Sequence, residues 1–247
     1  MDFKLEVPTN LEYFGSLVQS DAHFPLLEAV ASLAQDEYPE LDIQEVLGHV
    51  DQLGNRLKKR LPADAGALQK LRLLNKFFFD EHGFGGNLNN YYDPDNSYLH
   101  VMLRTRRGIP ISLAVLWLEL AQTIGLNAQG VGFPGHFLVK VRLPHPNEGQ
   151  VVIDPFTGES LSKEELSERL VPLHAESGLL REGHVSDELL KHYLRAATPR
   201  EIVVRMLRNL EEVYTSHQDP ERLMLVKQRL MVLLPSVDEQ DGGQGKA

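Results

Sequence analysis

Between Gly108 and Gly125 the chain reads IPISLAVLWLELAQTI, and this segment sets the terms for the whole fold. Ile111, Leu113, Ala114, Val115, Leu116, Trp117, Leu118, Leu120, Ala121 and Ile124 point in nearly every direction around a 3.6-residue helix. A helix with no polar stripe must be covered on all sides. Pro110 suits its first turn and Gly125 its end. Directly afterwards the apolar period changes from helical to alternating. NAQGVGF, HFLVKVRL and QVVID read as strands separated by the turns PG and PHPNEG, which predicts a small antiparallel sheet. In the second strand Phe137, Val139, Val141 and Leu143 share one face, and His136, Leu138, Lys140 and Arg142 the other. A buried helix followed by a sheet implies an α+β architecture, with helices from elsewhere covering what the sheet cannot.

Those helices are legible on both sides. Leu26, Leu27, Val30, Leu33 and Ala34, then Val46, Leu47, Val50, Leu53 and Leu57, keep the three-and-four spacing of two amphipathic helices broken near Pro39. LQKLRLLNKFFFDEHGFGG adds a third that ends at Gly83, Gly85 and Gly86. NLNNYYDPDN, Asn87 to Asn96, is a surface loop carrying Tyr91 and Tyr92. A short helix is expected from Pro94 to Thr105. Arg104, Arg106 and Arg107 at its end either complement the helix dipole or form an anion site. After the sheet, a serine before KEEL starts a short helix near Glu164 to Leu170. SDELLKHYLRAA follows. Thr198 with Pro199 and Asp219 with Pro220 then open an antiparallel helix pair. The expected organisation is a helical subdomain at 1–90, a core at 91–185, a helical tail at 186–236 and a polar, disordered end at 237–247.

Composition limits function. Against 25 Lys and Arg stand 35 Asp and Glu, and the formal charge of -10 argues against a broad nucleic-acid or anionic-membrane surface. No apolar run reaches the roughly 18 to 20 residues of a membrane span, and MDFKLEVPTN lacks a signal-peptide pattern, so a cytoplasmic protein is expected. There is no cysteine, which removes disulfides, thiolate catalysis and Cys-bound zinc. The 10 histidines include no HExxH or comparable pair, so neither metal nor other cofactor is expected.

Three residues could carry chemistry. Ser112 stands in the first turn of the buried helix, His136 at the start of a strand after FPG, and Asp154 at the end of the next strand before Pro155. A nucleophile at a helix N-terminus, a histidine base and an orienting carboxylate make a hydrolytic triad. Each also has a plain structural role: Ser112 as a first-turn cap, His136 as a partly buried strand histidine, Asp154 as a turn former. RRGIPISLAVLWLELAQTIGLNAQGVGFPGHFLVKV followed by VVIDPFTGESLS resembles the core of the transglutaminase-like superfamily, whose papain-like arrangement is Cys-His-Asp. The likeness is closest to the bacterial SirB-type proteins, in which a tetratricopeptide-like tail follows the core; NSYLHVMLRTRRGIPIS and GFPGHFLV carry it. It extends over about residues 25 to 235, with room for about one repeat in the tail.

The resemblance implies a papain-like core with its central helix packed on the sheet, and maps the catalytic positions onto Ser112, His136 and Asp154. The departure is the nucleophile. A thiol near pKa 8.5 can become a resting thiolate at a helix N-terminus, whereas a serine hydroxyl cannot and needs a base and an oxyanion hole. The local string lacks the GxSxG elbow. Two functions follow as expectations. One is a non-catalytic binding or regulatory module taking a peptide or protein segment in a groove near Tyr91, Tyr92, Asn96 and Arg107. The other is a Ser-His-Asp hydrolase of amides or esters. The C-terminal helices either cover the core or bind a protein partner.

Overall fold

The structure, a computed structural model, describes residues 8–145, 149–175, 180–181 and 184–234. In chain order the elements are α1 (Asn10–Leu17), α2 (Leu26–Ser32), α3 (Ile43–Lys58), α4 (Ala67–Asn75), β1 (Gly85–Gly86), α5 (Leu99–Thr105), β2 (Arg107–Gly108) and α6 (Pro110–Thr123). Then come β3 (Ala128–Val131), β4 (Leu138–Leu143), β5 (Gly149–Ile153), β6 (Ser160–Leu161), α7 (Lys163–His174), β7 (Leu180–Arg181), β8 (His184–Val185), α8 (Asp187–Tyr193), α9 (Pro199–Ser216) and α10 (Pro220–Leu233).

The polar residues expected at helix starts do their work there. Ser162 with Glu165 and Thr198 with Glu201 form reciprocal capping boxes on α7 and α9. Asp219 accepts a first-turn amide of α10, and Asp42, not singled out from sequence, does the same for α3. Such caps satisfy donors that have no intrahelical partner.

The segment that opened the sequence analysis is α6, and it is enclosed: Leu113, Leu116, Trp117, Leu120 and Ala121 are all 0% exposed. The sheet runs β3-β4-β5-β6, antiparallel throughout, with Val139 opposite Ile153. Its strands separate two cores. Val139, Val141 and Ile153 belong to the main core around α6, whereas Val131, Leu138 and Val152 pack with Leu166 and Leu170 of α7 and Leu190 of α8. The alternation in β4 therefore has an apolar residue on both faces, as a sheet covered on both sides requires.

Several boundaries differ from expectation. The segment 94–105 is a 3-10 turn at Pro94–Ser97 followed by α5. β4 begins at Leu138, because Pro134 and Gly135, at φ 68°, form a turn closed by the His136 amide on the Phe133 carbonyl at 3.0 Å. α7 continues past Leu170 to His174. β6 was not expected: Ser160 and Leu161 pair back onto Ile153 and Val152.

The segments read as subdomain, core and tail share one core. Leu53 and Leu74, Trp117, and Val203, Met206 and Leu210 of α9 lie in the same buried cluster. Polar pins reinforce this. The buried Tyr98 and Tyr214 hydroxyls meet at 2.6 Å, and the fully buried Arg229 of α10 reaches Asp36 with Nε and Nη2 at 2.6 and 2.8 Å. The polar end at 237–247 lies outside the described residues.

Candidate functional site

The turn ahead of β4 and the end of β5 bring His136 and Asp154 together. His136 Nε2 lies 2.8 Å from Asp154 Oδ1, which also accepts the Phe156 amide at 2.9 Å. Arg169 of α7 approaches the other carboxylate oxygen at 3.6 Å. Asp154 is held in a tight turn, its amide on the Glu159 carbonyl and its own carbonyl taking the Gly158 amide. Burial pushes the Asp154 carboxyl up, but the hydrogen bond and charge of His136, the Phe156 amide and Arg169 together outweigh burial and hold it below its ordinary value. An ionised Asp154 orients the imidazole, whose second nitrogen, Nδ1, has no hydrogen-bond partner among the described residues.

Ser112 is placed differently. Its side chain is buried, with the residue 1% exposed. Oγ accepts the Ile109 amide at 3.1 Å and lies within donating distance of two carbonyls, Asn96 at 2.7 Å and Ile109 at 3.0 Å. Among the described residues no hydrogen bond joins it to His136. The hydroxyl thus ties the first turn of α6 to the preceding loop. There is no room on that side: a Cβ built on Gly108 would stand 2.7 Å from Oγ.

A groove of about 430 Å³ opens beside the histidine. It is lined by Tyr91 and Tyr92, by Pro110 and Ile111 of α6, by His136 and Phe137, and by Arg205, Asn209 and Glu212 of α9. The two tyrosine rings meet edge to face, 5.4 Å between centroids. Phe156 bridges Tyr91 and His136 at 6.0 and 6.5 Å. Its ring lies flat on Gly86, where a Cβ would meet it at 2.2 Å, so only glycine permits this close approach.

Of the binding residues expected from sequence, Tyr91 and Tyr92 line the groove and two do not. Asn96 is 4% exposed and holds the loop from beneath, donating to the Asn90 and Tyr91 carbonyls and accepting from Asn87. Arg107 is turned away, bonding the Gly83 carbonyl at 2.6 Å. The residues that sequence reasoning missed are Arg169 and the α9 trio. Arg205, Asn209 and Glu212 are spaced four and three, opposite the apolar positions of α9, and look like any solvated helix face. Among the described residues no group of three or more His, Asp or Glu is arranged to hold a metal ion, and no helix is long and apolar enough to cross a membrane.

A sequence model of the transglutaminase-like superfamily matches residues 44–208, which takes in α6, the sheet, His136, Asp154 and most of the groove. The chain belongs to that superfamily. A UPF0162 protein of Xylella fastidiosa (strain 9a5c) is 38% identical over 229 residues, 92% of this chain and 78% of the relative. A UPF0162 protein of Pseudomonas aeruginosa is 29% identical over 211 residues, 85% of this chain and 72% of the relative. The F-box only protein 21 of Homo sapiens shares 40% identity over 72 residues, 29% of this chain and 12% of that protein. No solved structure matches.

Proposed function

We propose that this superfamily member is a non-catalytic binding module whose groove takes a peptide or protein segment. The observation that carries the reading is the position of Ser112. At the place where the resemblance puts a nucleophilic cysteine, the hydroxyl is spent on backbone groups in the core, and Pro110 and Ile111 line the groove instead. The groove offers what peptide recognition uses: aromatic rings at Tyr91 and Tyr92, a polar imidazole, and both signs of charge on α9. In this reading the C-terminal helices contribute a wall of the site through α9.

A peptide-display selection on the folded chain, repeated on Tyr92→Ala and His136→Ala, tests it. Enriched peptides that bind the parent and lose affinity for both variants support the reading; peptides indifferent to both overturn it. The second reading, a Ser112-His136-Asp154 hydrolase of amides or esters, is favoured by the His136 to Asp154 pair at the groove. It predicts fluorophosphonate labelling of Ser112 that His136→Ala suppresses. The binding reading predicts no labelling.

A further inference from the structure

A second groove, about 470 Å³, lies between α3 and the C-terminal end of α5, away from His136. Its floor is apolar, with Val46, Leu53 and Leu103 all buried. Its rim carries Arg56, Arg104 and Arg106. We propose that this groove binds a small-molecule phosphomonoester, the phosphate held by these arginines and the organic body lying on the apolar floor.

The charges argue for an anion. Within the described residues, seven arginines of this acidic chain are matched to acids, among them Arg60 with Glu81, Arg195 with Glu201, Arg208 with Glu211 and Arg229 with Asp36. Among the described residues no ion pair or hydrogen bond occupies the side chains of Arg56, Arg104 or Arg106. Only the Phe84 ring, 4.6 Å below the Arg106 guanidinium, compensates one of them. Two acids also line the groove: Asp42, whose carboxylate caps α3, and Glu45, which lies 4.0 Å from His49. His100 lines the same groove, and its Nδ1 is buried without a hydrogen-bond partner among the described residues.

Helix-end charge balance covers part of this cluster. Arg56 lies in the last turn of α3 and Arg104 in the last turn of α5, so helix-end balance accounts for one cation at each pole, and Arg106 adds another to an α5 pole worth about half a negative charge. Moreover Arg106 has φ 61°, a left-handed conformation that glycine adopts at lower cost. Burial, and the nearby charge of Arg56, both hold the Arg106 guanidinium below its ordinary value, so the cations stand close enough to repel. A phosphomonoester brings nearly two negative charges and three terminal oxygens for guanidinium donors, a better match than one planar carboxylate. The volume falls within the range of small-molecule sites.

Titration calorimetry on the full chain, with phenyl phosphate as probe, tests the assignment. Phenyl phosphate should bind more tightly than inorganic phosphate and more tightly than benzoate. Arg56→Gln and Arg104→Gln should each weaken binding at least tenfold, while Arg142→Gln, another arginine without an acid partner but outside this groove, should not. Arg106→Gly relieves the left-handed backbone and should fold at least as well, yet lose tenfold or more in affinity. No phenyl phosphate binding, or binding that survives all three groove variants, overturns the site. Equal affinity for inorganic phosphate overturns the organic body, equal affinity for benzoate overturns the phosphate, and tighter binding of a phosphotyrosine peptide overturns the small-molecule ligand.

Discussion

Replacing Ser112 by alanine separates a structural hydroxyl from a catalytic one. Oγ is buried, accepts the Ile109 amide at 3.1 Å and donates into the carbonyls of Asn96 or Ile109. Alanine removes both functions and adds no clash. The two orphaned groups are not wholly abandoned, because the Ile109 amide also approaches the Asn96 carbonyl at 3.3 Å. A buried backbone group left short of a partner costs about 1–3 kcal/mol, and the residual 3.3 Å contact argues for the middle of that range, about 2 kcal/mol. For a chain of this size that corresponds to a melting point lower by about 4–8 °C. Urea denaturation with a two-state fit, or thermal melting followed by circular dichroism, measures it. Ser112→Cys should not restore a reactive thiol. It sets a larger sulfur against Gly108, costing about 1–3 kcal/mol through overpacking. If Ser112→Ala were as stable as the parent, the capping argument would fail. If it kept its stability but abolished a measured amide or ester turnover, the hydroxyl would be a nucleophile after all.

Three further outcomes follow from the same geometry. Arg229→Met strands Asp36 and unpins α10, so a loss of about 3–5 kcal/mol in urea denaturation is expected, with part recovered when Asp36→Asn is added. Asp154 has a folded pKa below its unfolded value of about 3.9, so its contribution to stability is complete above that range and is lost as pH falls through the folded value. His136→Phe removes the bond and charge that oppose burial, so the folded value rises toward the unfolded one and the acid-dependent loss of melting point should shrink, with stability lowered near neutral pH; an unchanged acid limb would show that the pair is not coupled. Gly86→Ala drives a methyl into the Phe156 ring, and should cost about 1–3 kcal/mol while weakening any groove ligand through displacement of Phe156; denaturation and peptide titration check both.

The C-terminal helices show how much a sequence pattern says about itself and how little about its neighbours. Thr198 with Pro199 and Asp219 with Pro220 mark the starts of α9 and α10 to the residue, because capping is a matter of a few adjacent groups. Nothing in that pattern says that Val203, Met206 and Leu210 join the core around α6, so a tail and an integral helix read alike. The same limit applies to Arg205, Asn209 and Glu212, whose polar face is a groove wall only because Tyr91, Tyr92 and the turn at His136 stand opposite.

By itself the sequence determined the buried helix, the switch to antiparallel strands, the capped helix starts and the nearness of His136 and Asp154 to the edges of neighbouring strands. These follow from periodicity and short-range hydrogen bonding, which each segment carries with it. Tertiary structure decided what Ser112 is for. Successive residues on a helix turn by about 100°, so Pro110, Ile111 and Ser112 point in different directions. Docking of α6 against the Asn96 loop sent the hydroxyl inward and left Pro110 and Ile111 at the groove. It also set Asn96 and Arg107 to holding loops, and gathered Arg56, Arg104 and Arg106 from two helices and a left-handed turn around one cavity. Such placements depend on packing between segments far apart in the chain, and local composition carries no record of them.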